Sequence, residues 1–151
     1  MKSILLVLLL IVATSCKSQI YPLNAKMSDL PPNAYVKDLN NELDKYVGLW
    51  KGNWNGKTLY IEFKKVKYHY EDDNYPLFVD MILGERKIVN SNGIVEVDRI
   101  TNFNYQDTEF RGIFDSFSGE KRFMFSPENM CMKQASLYIK NFTNTQNDLT
   151  F

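Results

Sequence analysis

The tetrapeptide Trp54-Asn55-Gly56-Lys57 constrains this chain more than any other feature. Asn-Gly takes the positive φ angles of a type I′ turn at little cost, so it joins two strands directly into a hairpin. On the far side, Leu59, Ile61 and Phe63 alternate with Tyr60, Glu62 and Lys64, which sends one set to a core and the other to water. The alternation slips at Lys64-Lys65, where Val66, Tyr68 and Tyr70 take over the apolar register, and a bulge is expected there.

Further strand-like runs follow at 77–89, 94–103, 109–117, 121–125 and 134–142, and turn chemistry separates them: Asn74-Tyr75-Pro76, Ser91-Asn92-Gly93, 104–108, Ser118-Gly119 and Ser126-Pro127-Glu128-Asn129. Evenly spaced strands without intervening helices predict a mainly β, antiparallel up-and-down meander, closed into a barrel that hides its edges. Ten Phe, nine Tyr and two Trp supply the bulk to fill such a barrel or to line a cavity within it. The expected inward positions are Leu59, Ile61, Phe63, Met81, Leu83, Val95, Val97, Phe123, Phe125, Leu137 and Ile139, mostly bulky. Ahead of the strands, Tyr35, Leu39, Leu43 and Tyr46 recur at spacings of four, four and three. That spacing predicts one short N-terminal amphipathic helix over 33–47, ended by Gly48 as a left-handed cap.

The N-terminus is of another kind. Lys2 precedes an uninterrupted apolar stretch from Ile4 to Val12, and Ala13-Thr14-Ser15 leads directly into Cys16. This order resembles a bacterial lipobox, with Cys16 as the lipidated residue. The stretch falls short of the roughly 20 residues a helix needs to cross about 30 Å of hydrocarbon, so it reads as a cleaved signal. Two or more acyl chains, at about 0.8 kcal/mol per buried methylene, would anchor the protein stably. Residues 1–15 are expected as a signal peptide and 16–32, with Pro22, Pro31 and Pro32, as a lipidated N-terminus and extended tether. Residues 33–151 are expected as the barrel-like domain. Asp148-Leu149-Thr150-Phe151 alternates like the opening of another strand, so the last strand is expected to be cut short.

Taking away residues 1–15 leaves 136 residues, enough for one domain that buries about two-thirds of its unfolded surface. Seventeen basic residues then face 18 acidic ones, a net of −1, which gives nucleic acid no purchase. With Cys16 acylated, Cys131 is expected as a small buried apolar side chain rather than half of an intramolecular disulfide. His69, the single histidine, has no Ser or Cys near it in sequence and reads as a strand-end residue, so no catalytic residue is assigned. Glu71-Asp72-Asp73-Asn74 lacks the spaced ligands of a calcium loop and reads as a solvated turn. Lys64-Lys65-Val66-Lys67 reads as a solvated strand face, and Asn141-Phe142-Thr143 as a chance match to a glycosylation acceptor. No metal and no cofactor is assigned.

Two resemblances add to this. Leu43-Asp44-Lys45-Tyr46-Val47-Gly48-Leu49-Trp50 is similar to the first conserved stretch of the lipocalins, in which a helical turn leads into Gly-x-Trp on the first barrel strand. The resemblance implies a lipocalin- or calycin-like barrel in which Gly48 and Trp50 form a structural barrel-floor motif. The family's late-strand arginine and its Thr-Asp-Tyr turn have no counterpart here. Cys16-Lys17-Ser18-Gln19, Tyr21-Pro22-Leu23, Asn33-Ala34-Tyr35, the run 37–43 and Ile82-Leu83-Gly84-Glu85-Arg86 resemble a family of uncharacterised flavobacterial (Bacteroidota) lipoproteins, a domain of unknown function. That resemblance covers nearly the whole chain. It implies a compartment, and it brings no activity. With no acidic export tag after Cys16, the expected place is the periplasm-facing leaflet of the outer membrane.

Two functional readings stay open. One is a non-enzymatic envelope lipoprotein holding a small apolar ligand in a lipocalin-like barrel. The other is an interaction or structural lipoprotein whose barrel is filled by side chains and whose partner is another envelope protein. Bulky inward residues favour the second slightly.

Overall fold

In the computed structural model, which describes residues 19–71, 75–114, 121–128, 133–138 and 148–149, the Asn-Gly turn lies between two paired strands. Asn55 and Gly56 have φ of 50° and 74°, as the two central residues of a type I′ turn must, and Trp54 faces Lys57 across it. The strands, in chain order, are β1 (Ile20–Pro22), β2 (Tyr35–Lys37), β3 (Gly48–Trp54), β4 (Lys57–Tyr70), β5 (Leu77–Val89), β6 (Val95–Asp98), β7 (Phe110–Phe114), β8 (Lys121–Phe125), β9 (Ala135–Tyr138) and β10 (Asp148–Leu149).

All ten belong to one sheet, whose main path runs β10-β3-β4-β5-β7-β8-β9. β5 is its spine. β4 pairs along the whole of one edge, while β2, β7 and β6 share the other at Phe78–Val79, Ile82–Gly84 and Lys87–Val89. Neighbours along β3-β4-β5-β7-β8-β9 are antiparallel, but β1–β2, β2–β5 and β10–β3 are parallel. The sheet is therefore mixed, a curled half-barrel rather than the uniform meander expected from the turns.

Curling brings one face inward. Phe63 of β4, Gly84 of β5 and Phe110 of β7 stand side by side, and the Phe63 ring lies directly on the Gly84 backbone. A Cβ at Gly84 would meet that ring at 2.5 Å, so only glycine admits the close approach that bends the sheet. Phe63, Phe110 and Phe123 are almost fully buried and pack edge-on or tilted at 5.0–5.9 Å. Burial of each contributes about 1.5–3 kcal/mol. Tyr46 closes the cluster at 5.4 Å from Phe123.

The helix expected over 33–47 does not form. Asn33 and Asn41 sit at φ of 63° and 55°, and Tyr35–Lys37 is drawn into β2. The Asp38 carboxylate accepts from the Glu42 and Leu43 main-chain N–H groups at 2.8 and 2.9 Å, capturing donors a helix would use. Only a 3-10 turn, Asp44–Tyr46, remains before Gly48, whose φ of 133° opens β3 instead of capping a helix. Leu43 and Tyr46 are buried nevertheless, while Leu39 faces solvent.

The bulge expected at Lys64-Lys65 is also absent. β4 pairs with β5 in unbroken register from Thr58↔Val89 to Tyr70↔Leu77, and the register shift lies instead between Ile88 and Val89, against β6. The apolar alternation changes because the second half of β4 packs apolar groups on its other face. For the same reason Met81 and Leu83, which pair with Val66 and Lys64, point away from Leu59, Ile61 and Phe63, yet are buried. Val95 is exposed. Within 16–32, Ile20–Pro22 forms β1 and Leu23 and Leu30 are buried against the domain.

Candidate functional site

The wide end of the concave face holds a cavity of about 320 Å³. Period-two alternation builds it one strand at a time: Leu59 and Ile61 from β4 face Ile88 and Arg86 from β5, and Phe110 of β7 faces Phe125 of β8. Phe110 and Phe125 stack at 4.6 Å. Leu137 of β9 and Trp54, at the end of β3, stand at the two sides, and Trp54 is 43% exposed. Among the described residues its lining contains no hydroxyl, thiol, imidazole or carboxylate side chain, so the chemistry they offer is apolar contact.

Arg86 is the exception in that wall, and it is buried to 4% exposure. Its Nε donates to Glu109 at 2.8 Å, and its guanidinium lies 5.1 Å from the Phe125 ring centre. Glu109 is equally buried, so the pair places a compensated charge at the cavity's base. On the opposite face Glu85, fully buried, receives a two-point fork from Arg99 at 2.9 and 3.2 Å. Burial raises the Glu85 pKa, and the Arg99 fork opposes that shift. Arg99 also approaches Glu109 at 3.9 Å and donates to the Asp107 carbonyl at 2.6 Å, which ties the 99–109 connection to the sheet.

A second cavity, of about 300 Å³, lies at the other end under Leu23, Leu43, Tyr46 and Phe123. Its rim is braced by Asp80, which accepts from the Tyr35 hydroxyl at 2.5 Å and the Asp38 N–H at 3.0 Å. Burial, with the Asp80 hydrogen bond, pushes the Tyr35 pKa up to about 12. These bonds clamp the N-terminal segment to β5.

Cys16, Cys131 and Asn141-Phe142-Thr143 lie outside the described residues, as do 72–74 of the acidic run. Trp50 is buried, and its indole N–H donates to the Tyr46 carbonyl at 2.8 Å. In the cross-strand row it stands beside Ile61, which stands beside Arg86. His69 stacks on its cross-strand neighbour Phe78 at 4.4 Å. The lysine run is partly solvated, with Lys67 exposed and Lys64 and Lys65 half-buried, and each lysine also has partners. Lys65 binds Asp44 and Asp38, Lys64 lies over Phe103 at 4.2 Å, and Lys67 lies over Tyr35 and Phe78 at 4.3 and 4.4 Å. Among the described residues no group of three or more His, Cys, Asp or Glu side chains is placed to hold a metal ion, and no helix is long and apolar enough to cross a membrane.

The residues missed in sequence are Trp54 as a cavity wall and the Arg86–Glu109 pair. Glu85-Arg86-Lys87 did carry a signal: adjacent charges inside a strand that is otherwise apolar but for Asp80 must point to alternate faces, and each one that is buried then needs a partner. No curated protein and no solved structure matches the chain. A family model does, over residues 1–147, and the chain therefore belongs to that family of unknown function, DUF6705.

Proposed function

We propose that this protein is a non-enzymatic, lipid-anchored protein of the bacterial cell envelope that holds a small apolar ligand on the concave face of its half-barrel. The observation that carries the reading is the cavity of about 320 Å³ whose walls are Leu59, Ile61, Ile88, Phe110, Phe125 and Leu137. Its volume lies at the lower end of the roughly 300–1,000 Å³ typical of small-molecule sites. With Arg86 neutralised by Glu109, the cavity favours an uncharged ligand over a fatty acid or other anion. The lipobox-like stretch ending at Cys16 supports the anchor, and the outer membrane's periplasm-facing leaflet is the compartment it suggests. The Gly48-Leu49-Trp50 start of β3, with Trp50 buried beneath the sheet, supports a lipocalin-like arrangement.

A second reading, an interaction lipoprotein docking another envelope protein, is favoured by the outer edge of β9, which has no strand partner among the described residues. Native mass spectrometry of the full chain purified from membranes separates the two. A retained small-molecule adduct, lost in Trp54→Ala, supports ligand binding. An adduct-free monomer that captures an envelope protein favours the second reading. Palmitate labelling that persists in Cys16→Ala overturns the anchor.

A further inference from the structure

We propose that the convex face carries a separate binding site, centred on Arg111, for a carboxylate borne on a ring that packs against tyrosine. Arg111 of β7 stands opposite Leu83 of β5, so it projects from the face away from Arg86 and the apolar cavity. Its guanidinium lies 5.3 Å from the Tyr68 ring centre. It donates to the Tyr68 hydroxyl at 3.2 Å and to the Gln106 carbonyl at 2.9 Å. Both acceptors are neutral. Arg86 and Arg99, by contrast, each hold a buried carboxylate, whereas no carboxylate among the described residues lies within ion-pair distance of Arg111. A guanidinium fixed by neutral oxygens keeps its full charge and most of its five N–H donors, in a fork that matches a carboxylate.

The surroundings say what the carboxylate should be attached to. Arg111 opens into a groove of about 510 Å³ walled by Tyr68, Tyr70 and Tyr105. Tyr68 and Tyr70 meet at 5.0 Å, and Tyr105 is 48% exposed. Ring faces beside a cation suit a ring that packs on them, by its π-face or by a face of C–H groups, while its acid group reaches the guanidinium. Glu71, the groove's one carboxylate among the described residues, is turned to solvent at 88% exposure. Lys67, whose ammonium lies over Tyr35 and Phe78, and His69, stacked on Phe78, are directed to the other face of β4. The charge that Arg111 brings to the groove is therefore complementary to an acid. Two kinds of molecule carry that chemistry, a sugar acid and an aromatic acid.

The test is titration calorimetry on the full chain with galacturonate and with 4-hydroxybenzoate, each beside its neutral counterpart, galactose or 4-hydroxybenzyl alcohol. The expected result is that at least one acid binds about tenfold more tightly than its neutral counterpart. Added salt weakens that binding, Arg111→Gln and Arg111→Lys lower it about tenfold, and Tyr105→Ala weakens it while Trp54→Ala leaves it unchanged. Which acid binds identifies the source. Should Arg111→Gln fail to fold, the exposed Tyr105→Ala and the charge-preserving Arg111→Lys still decide. The proposal is overturned if neither acid gives heat at about 10 mM, if the neutral counterparts bind equally well, or if affinity survives in both Tyr105→Ala and Arg111→Lys.

Discussion

Two arginines on neighbouring strands, Arg86 of β5 and Arg111 of β7, point to opposite faces of the same sheet and meet opposite fates. On the concave face Arg86 is buried among Ile61, Phe110 and Phe125, and Glu109 neutralises it at 2.8 Å. On the convex face Arg111 lies among tyrosines and is held by two neutral oxygens. Desolvation explains the difference. A guanidinium removed from water must take a counter-charge with it, while one in an open groove keeps its charge for a visitor. The two faces therefore suit different ligands, uncharged inside and anionic outside.

The comparison breaks most sharply at the buried pair. Glu109→Ala removes the carboxylate that Arg86 binds at 2.8 Å and is expected to cost about 3–5 kcal/mol in urea unfolding, whereas the double variant Arg86→Met/Glu109→Leu should recover most of that loss. A single variant within error of wild type would mean that the concave face is wet. Next in size is Gly84→Ala. Its new Cβ would stand 2.5 Å from the Phe63 ring, so overpacking should cost about 1–3 kcal/mol and flatten the curl that shapes the cavity. An unchanged unfolding midpoint would show that the ring shifts freely.

A smaller, pH-confined effect is expected at Asp98. Its carboxyl is held down to about 2, first by the hydrogen bond from Lys87 and then by the Thr101 N–H. A depressed carboxylate pKa adds stability above its ordinary value of 3.8, and that stability is lost as pH falls from 3.8 towards 2. Asp98→Asn should therefore be less stable than wild type at pH 6, and the gap should close by pH 2. Glu85 runs the other way. Its raised pKa means that the fold gives up stability as pH rises from about 4.5 through the folded value, so Glu85 does not add to the acid loss that Asp98 produces. The smallest stability effect belongs to Arg111→Gln, expected within about 0.5 kcal/mol of wild type because it strips no buried charge. A loss as large as that of Glu109→Ala would make the two faces alike.

Local chemistry was legible in the sequence wherever local chemistry decided the outcome. The Asn55-Gly56 turn holds because its φ angles are a property of two residues, and β5 and β8 fill the bounds 77–89 and 121–125 expected for them because apolar runs between turn residues delimit strands. The helix over 33–47 failed although its spacing was right. Asp38, Asn33 and Asn41 offered the backbone a different set of partners, and β5 offered Tyr35 and Val36 a parallel neighbour 43 residues away in sequence. Lys64, Lys65 and Lys67 looked solvated because their acidic and aromatic partners come from other elements.

By itself the sequence determined a β-rich chain, its hairpin at Asn55-Gly56, and the strands that alternation and turn residues can delimit, since each depends on neighbours within a few positions. Only the tertiary structure decided that the sheet is mixed and half-closed, that Met81 and Leu83 face away from Phe63, and that Arg86 meets Glu109 while Arg111, among the described residues, meets neutral oxygens. Those outcomes turn on which strand lies against which and on how the sheet curls, and pairings between distant residues leave no periodicity in the chain from which to read them.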